Sequence, residues 1–101
     1  MRKAIEKAFI ELKRQGEILS IYQFGSSTRK ENRIPRDIDL LFLISDNKHI
    51  NYSGIYDLIR NISLSLSEIV RLPVDFTILT VQEESEMHFI EESKAILLLK
   101  L

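Results

Sequence analysis

The stretch Ile38-Asp39-Leu40-Leu41-Phe42-Leu43-Ile44 constrains this chain more than any other. Apart from one aspartate near its start, it offers no polar residue, so a strand formed there has apolar side chains on both faces. Such a strand belongs inside a sheet with cover on each side. That excludes a simple helical bundle, and also a sheet with one face in water.

The rest of the chain supplies the cover. Ile5, Ala8, Phe9 and Leu12 recur at the spacing of an amphipathic helix, and Gly16 stands where a helix C′ residue is expected. Ile18 to Phe24 is short, apolar and β-branched and reads as a strand. Ser53 is placed to cap a helix whose stripe runs through Ile55, Leu58, Ile59, Ile62, Leu66, Ile69 and Val70, with Pro73 ending it. Val74 to Leu79 reads as a third strand. Thr80-Val81-Gln82-Glu83 has the spacing of a capping box opening a last helix. Ala95 to Leu101 reads as a terminal strand, with a buried helical turn as the alternative. The pattern predicts a single α+β domain over residues 1–101, a mixed sheet of about four strands flanked by helices.

Composition bounds the function. The 101 residues are 45% apolar and 29% charged with a net charge of −1, so a surface built wholly to hold nucleic acid is not expected. There is no cysteine, which removes disulfides, thiolate metal sites and cysteine nucleophiles. No apolar run approaches the ~20 residues of a membrane span, and Glu6 and Glu11 break any signal-like segment. A cytoplasmic protein with no membrane partner is expected.

The chemistry concentrates at the start of the apolar strand. Asp37 and Asp39 are two apart, so on a strand they share a face with Cα atoms about 6.5 Å apart. Two adjoining carboxylates entering an apolar strand repel and lose solvation, which a cation can offset. Mg²⁺ suits this, because it binds through one or two carboxylates plus substrate phosphates. Asp75 stands in the next strand; if the two strands pair, three carboxylates converge, enough for two ions about 3.5–4 Å apart. The bland alternative is an ion-pair network with Arg29, Arg33 or Arg36.

Upstream, Gly25-Ser26 ends a strand and opens a turn. Glycine lets a backbone approach a phosphate closely, and Ser26 adds a hydroxyl donor. Arg29, Lys30, Arg33 and Arg36 crowd the segment leading to the carboxylates, against one acid, Glu31. Each feature alone is weak, but their combination at this spacing arises by chance in roughly one chain in a thousand.

Gly25-Ser26, ten residues, then Asp37-Ile38-Asp39-Leu40 resembles the signature of the DNA polymerase beta-like nucleotidyltransferase superfamily. The run Asp37 to Ile44 and the short chain look like its minimal nucleotidyltransferase branch. Ser27, Thr28, Arg29 and Lys30 stand where many minimal members carry Arg-Ala-Arg-Gly, and Arg36 where a serine often precedes the first aspartate. The resemblance implies that Gly25, Ser26, Ser27, Arg29 and Lys30 contact a triphosphate. It also implies that Asp37, Asp39 and Asp75 hold Mg²⁺ in a two-metal site, and that Asp75 helps to activate an acceptor hydroxyl.

The resemblance further implies ATP as substrate and a HEPN-domain toxin as partner. In such toxin–antitoxin pairs the nucleotidyltransferase is the antitoxin and attaches AMP to a tyrosine of the ribonuclease. The chain lacks the HEPN motif in which His follows Arg at four to six residues' remove, so it is not the toxin half. No segment is left over for an acceptor-binding domain, so the acceptor is expected on another chain, in a homo- or hetero-oligomer. A non-catalytic module that masks its partner by contact is the alternative.

Other residues carry blander readings. His49 falls in a polar loop and His88 inside the last helix, neither with metal-ligand spacing around it. Tyr22, Tyr52 and Tyr56 read as packing. Glu83, Glu84, Glu86, Glu91 and Glu92 read as a solvated helix face or a docking surface for a basic partner. The apolar terminal strand would need covering if its edge is free.

Overall fold

The computed structural model describes residues 17–25, 36–46 and 51–101, together with Ile10. Along the chain these form β1 (Ile18–Phe24), β2 (Ile38–Ile44), α1 (Tyr52–Val70), β3 (Val74–Thr80), α2 (Val81–Met87), α3 (Phe89–Ser93) and β4 (Ile96–Lys100). The strands make one sheet in the order β3-β2-β1-β4. β1 runs antiparallel to both β2 and β4, whereas β2 and β3 are parallel, so the sheet is mixed. This is the α+β architecture expected. The helix proposed around Ile5 to Leu12, with Gly16 after it, lies outside the described residues apart from Ile10, which is helical and exposed.

Parallel β2 and β3 cannot be joined by a tight turn and need a crossover. The nineteen residues of α1 provide it. Its stripe meets one sheet face, where Ile55, Ile59 and Ile62 pack with Ile18, Ile21, Leu40, Phe42 and Ile44. Leu41 points the other way and is also fully buried. β2 is thus covered on both faces, as its unbroken apolar character demands. Beside this core, on the α1 face, lies an apolar cavity of about 310 Å³ walled by Leu40, Phe42, Ile62, Leu66 and Leu99; it borders none of the aspartates discussed below.

Helix ends show where local chemistry departs from expectation. The cap of α1 is Asn51 rather than Ser53: its Oδ1 accepts the Gly54 N–H at 3.1 Å, and Ser53 lies inside the helix. At the other end Arg71 takes a left-handed conformation, φ 56°, and its N–H bonds the Ser67 carbonyl before Pro73 prevents continuation. The capping box at Thr80 forms as expected, with Thr80 and Glu83 each accepting the other's backbone N–H. The single last helix does not form. His88 turns left-handed, φ 51°, and splits it into α2 and α3.

β4 is a strand, not a helical turn, and it ends the sheet order opposite β3. Ile96, Leu97 and Leu98 are each about half exposed. No described helix is long and apolar enough to cross a membrane.

Candidate active site

Ile38 fixes the entrance of β2. Its N–H bonds the Pro73 carbonyl at 2.9 Å, so β2 starts level with the point where the chain leaves α1 for β3. From there the register runs Ile38 with Val74 and Asp39 with Asp75. On the other side Asp39 is paired with Phe24 of β1. Paired residues share a face, so Phe24, Asp39 and Asp75 form one row across three strands, on the face opposite α1's stripe.

Asp37 adds its carboxylate from just before β2. One oxygen from each of Asp37, Asp39 and Asp75 lies within 4.8 Å of the others. Asp37 and Asp39 are half-buried and Asp75 is exposed, so the cluster opens to solvent through Asp75. Burial pushes the Asp39 carboxyl above its ordinary value, and the charges of Asp37 and then Asp75 push it the same way. Of the arginines in the alternative ion-pair network, Arg29 and Arg33 lie outside the described residues.

Hard oxygen donors this close, with an open side, fit a divalent cation of the Mg²⁺ kind. Such an ion takes ligand oxygens at about 2.0–2.1 Å and keeps positions for water and phosphate. Among the described residues three carboxylates converge, so an ion held by them alone would retain sites for a second anionic ligand.

Gly25 closes the row. It follows Phe24, has φ +82°, and lies against Asp39: a Cβ built on it would overlap an Asp39 carboxylate oxygen. Ser26, Ser27, Arg29 and Lys30, expected at a triphosphate, lie outside the described residues, as do Arg33 and His49. Arg36 is exposed.

Sequence patterns did not disclose two supports of this face. Phe89 of α3 meets Phe24 edge-on, ring centroids 4.9 Å apart and planes at 88°. Glu84 of α2 fixes that contact, its carboxylate accepting the N–H groups of Phe89 and Ile90 at 3.1 Å each. Glu83 and Glu84 therefore cap helices, and the acidic run is not simply a solvated face. Asp46 similarly receives the Gln82 N–H on both carboxylate oxygens, at 3.1 and 3.2 Å, bracing the start of α2. An acid four residues before a helix split is a weak signal for the first contact. For the second, nothing local exists, because the partners are 36 positions apart.

The polymerase beta nucleotidyltransferase family model matches residues 6–100 of the 101. The chain belongs to this family. It is also similar to the crystal structure of a candidate nucleotidyltransferase from Sulfolobus solfataricus. That match has a TM-score of 0.60 and 22% identity, and covers 99% of this chain and 80% of the other. At that identity the likeness supports the shared fold. Comparison with curated proteins gives no match. As a polymerase beta-like nucleotidyltransferase domain, the chain carries the three aspartates at the start of the central strand and on its parallel neighbour, beside the glycine that follows β1.

Proposed function

We propose that this nucleotidyltransferase transfers AMP from ATP to a hydroxyl of a protein acceptor, and that it is the cytoplasmic antitoxin of a HEPN ribonuclease toxin. The observation that carries the catalytic part is the convergence of Asp37, Asp39 and Asp75 within 4.8 Å on one open face. In this reading the three carboxylates hold Mg²⁺, which supplies charge neutralisation at the triphosphate and acidifies a hydroxyl near it. Gly25, Ser26, Ser27, Arg29 and Lys30 receive the triphosphate. Asp75, the exposed member, takes the acceptor's proton as its oxygen bonds the α-phosphorus and pyrophosphate departs.

Support for a protein acceptor is less direct. It comes from the resemblance to the minimal branch and from the open side of the cluster at Asp75, which leaves room for a side chain presented by another molecule. The experiment is to mix the chain with its HEPN partner, ATP and Mg²⁺ and weigh the partner intact. The expected result is a gain of whole AMP units, mapped to tyrosine. No gain with both proteins folded overturns the proposal.

One observation favours a second reading, masking by contact. Ile96, Leu97 and Leu98 expose apolar surface on consecutive residues of β4, so both faces of that strand are available to a partner. Neutralisation that survives the double change Asp37→Asn and Asp39→Asn favours masking.

A further inference from the structure

We infer that Gly25 is a positioning residue for Asp39: the side chain it lacks is the space in which the Asp39 carboxylate stands. The inference rests on the metal-site reading above, but concerns the protein's own carboxylate rather than a phosphate.

A Cβ on Gly25 would find its three nearest neighbours in one residue. These are an Asp39 carboxylate oxygen, which it would overlap, Cγ of Asp39 at 3.3 Å and Cβ of Asp39 at 3.5 Å. Asp39 cannot step back to make room. Its backbone is held on one side by Phe24 and on the other by Asp75, in the middle of the sheet. Asp already has the shortest carboxylate side chain, so no slack remains along it. The carboxylate could only rotate away, and rotation would take it from the cluster it forms with Asp37 and Asp75. The positive φ of +82° adds a separate demand for glycine.

The two demands can be separated. Asn tolerates positive φ better than Ala does, yet carries the same Cβ. If backbone conformation alone matters, Gly25→Asn is mild and Gly25→Ala is not. If space for Asp39 matters, both fail. The interaction also predicts coupling: removing the Asp39 carboxylate removes the overlap, so Gly25→Ala should cost less stability in an Asp39→Ala background.

The test uses Mn²⁺ alone, without nucleotide, followed by electron paramagnetic resonance of the free ion, with unfolding midpoints for Gly25→Ala, Asp39→Ala and their combination. The expected result is that Gly25→Ala and Gly25→Asn each weaken Mn²⁺ binding by about tenfold or more. The fall in midpoint caused by Gly25→Ala should shrink by about half or more once Asp39 is alanine. A double variant that folds where Gly25→Ala does not is the same result in stronger form. Wild-type affinity retained in Gly25→Ala, or equal midpoint losses in both backgrounds, overturns the inference. If the wild-type chain itself binds no Mn²⁺, the metal-site reading fails instead, and the midpoint comparison still decides whether Gly25 seats Asp39.

Discussion

Asp39 and Asp75 are partners across the parallel β2–β3 pairing, two carboxylates placed side by side by the backbone register itself. Like charges directly opposite in a sheet are destabilising. Neither residue can leave the pair without shifting a seven-residue ladder that runs from Ile38 with Val74 to Ile44 with Thr80. The ladder therefore fixes a local cost in the metal-free protein, and on the metal-site proposal a divalent cation would turn it into a gain.

Loss of any one carboxylate should then weaken metal binding more than a peripheral change does. Removing groups that merely orient metal ligands costs about 10–100-fold. Asp37→Asn and Asp39→Asn should each lower nucleotidyl transfer by more than about 100-fold, with far-UV circular dichroism unchanged. Titration with Mn²⁺ checks the binding half, and pyrophosphate release checks the catalytic half.

Stability should depend on pH in a direction set by Asp39. Its carboxyl is raised in the folded protein, first by burial and then by Asp37 and Asp75. The native state therefore holds this proton more tightly than the unfolded chain, whose value lies near 3.8. Asp39's contribution to stability is fully present below that value and is lost as pH rises through the folded pKa. In chelator at neutral pH, Asp39→Asn should unfold at a higher temperature than wild type, and the difference should vanish on acidification. Saturating Mg²⁺ should reverse the order at neutral pH, because it binds the wild-type native state. Thermal unfolding across pH, with and without Mg²⁺, measures both.

Much of this was legible because the signals are local or strongly patterned. The apolar run from Ile38 gave the central strand, and the helical stripe between Ile55 and Val70 implied the crossover that lets β3 lie parallel beside it. Once those strands pair, Asp75 follows, since it sits one residue into β3 as Asp39 sits one residue into β2. The stripe did not reveal its own cap, because Asn51 and Ser53 are both good caps and only the backbone at Asn51 leaves the helix. The break at His88 was hidden for a related reason: no glycine or proline marks it, and Glu84 stabilises it from the preceding turn. The Gly25–Asp39 contact belongs to tertiary geometry; a glycine before a serine explains itself by its turn and hides what it leaves room for.

The capping box offers a stability prediction independent of the site. Thr80→Ala removes the acceptor of the Glu83 N–H and loosens the reciprocal bond from the Thr80 N–H to Glu83. Losses of this kind cost about 0.5–2 kcal/mol. Thr80 ends β3 at the far end from Asp75, so Mn²⁺ affinity should stay at the wild-type value while the denaturation midpoint falls. A parallel loss of metal affinity would mean that β3 responds as a whole.

Glu84 makes a different prediction, because its carboxylate serves two N–H groups at once. Glu84→Ala leaves the N–H groups of Phe89 and Ile90 without their acceptor in a part-buried place, and an unsatisfied buried group costs about 1–3 kcal/mol. Glu84→Gln keeps one carbonyl oxygen and should fall between alanine and wild type. The effect should also reach the active face, since Phe89 rests edge-on against Phe24, and Phe24 pairs with Asp39. Hydrogen exchange should therefore quicken at α3 and at the end of β1 in Glu84→Ala, while the α1 core around Ile59 and Phe42 keeps its protection. Faster exchange confined to α3 would show that the aromatic contact does not couple the two elements.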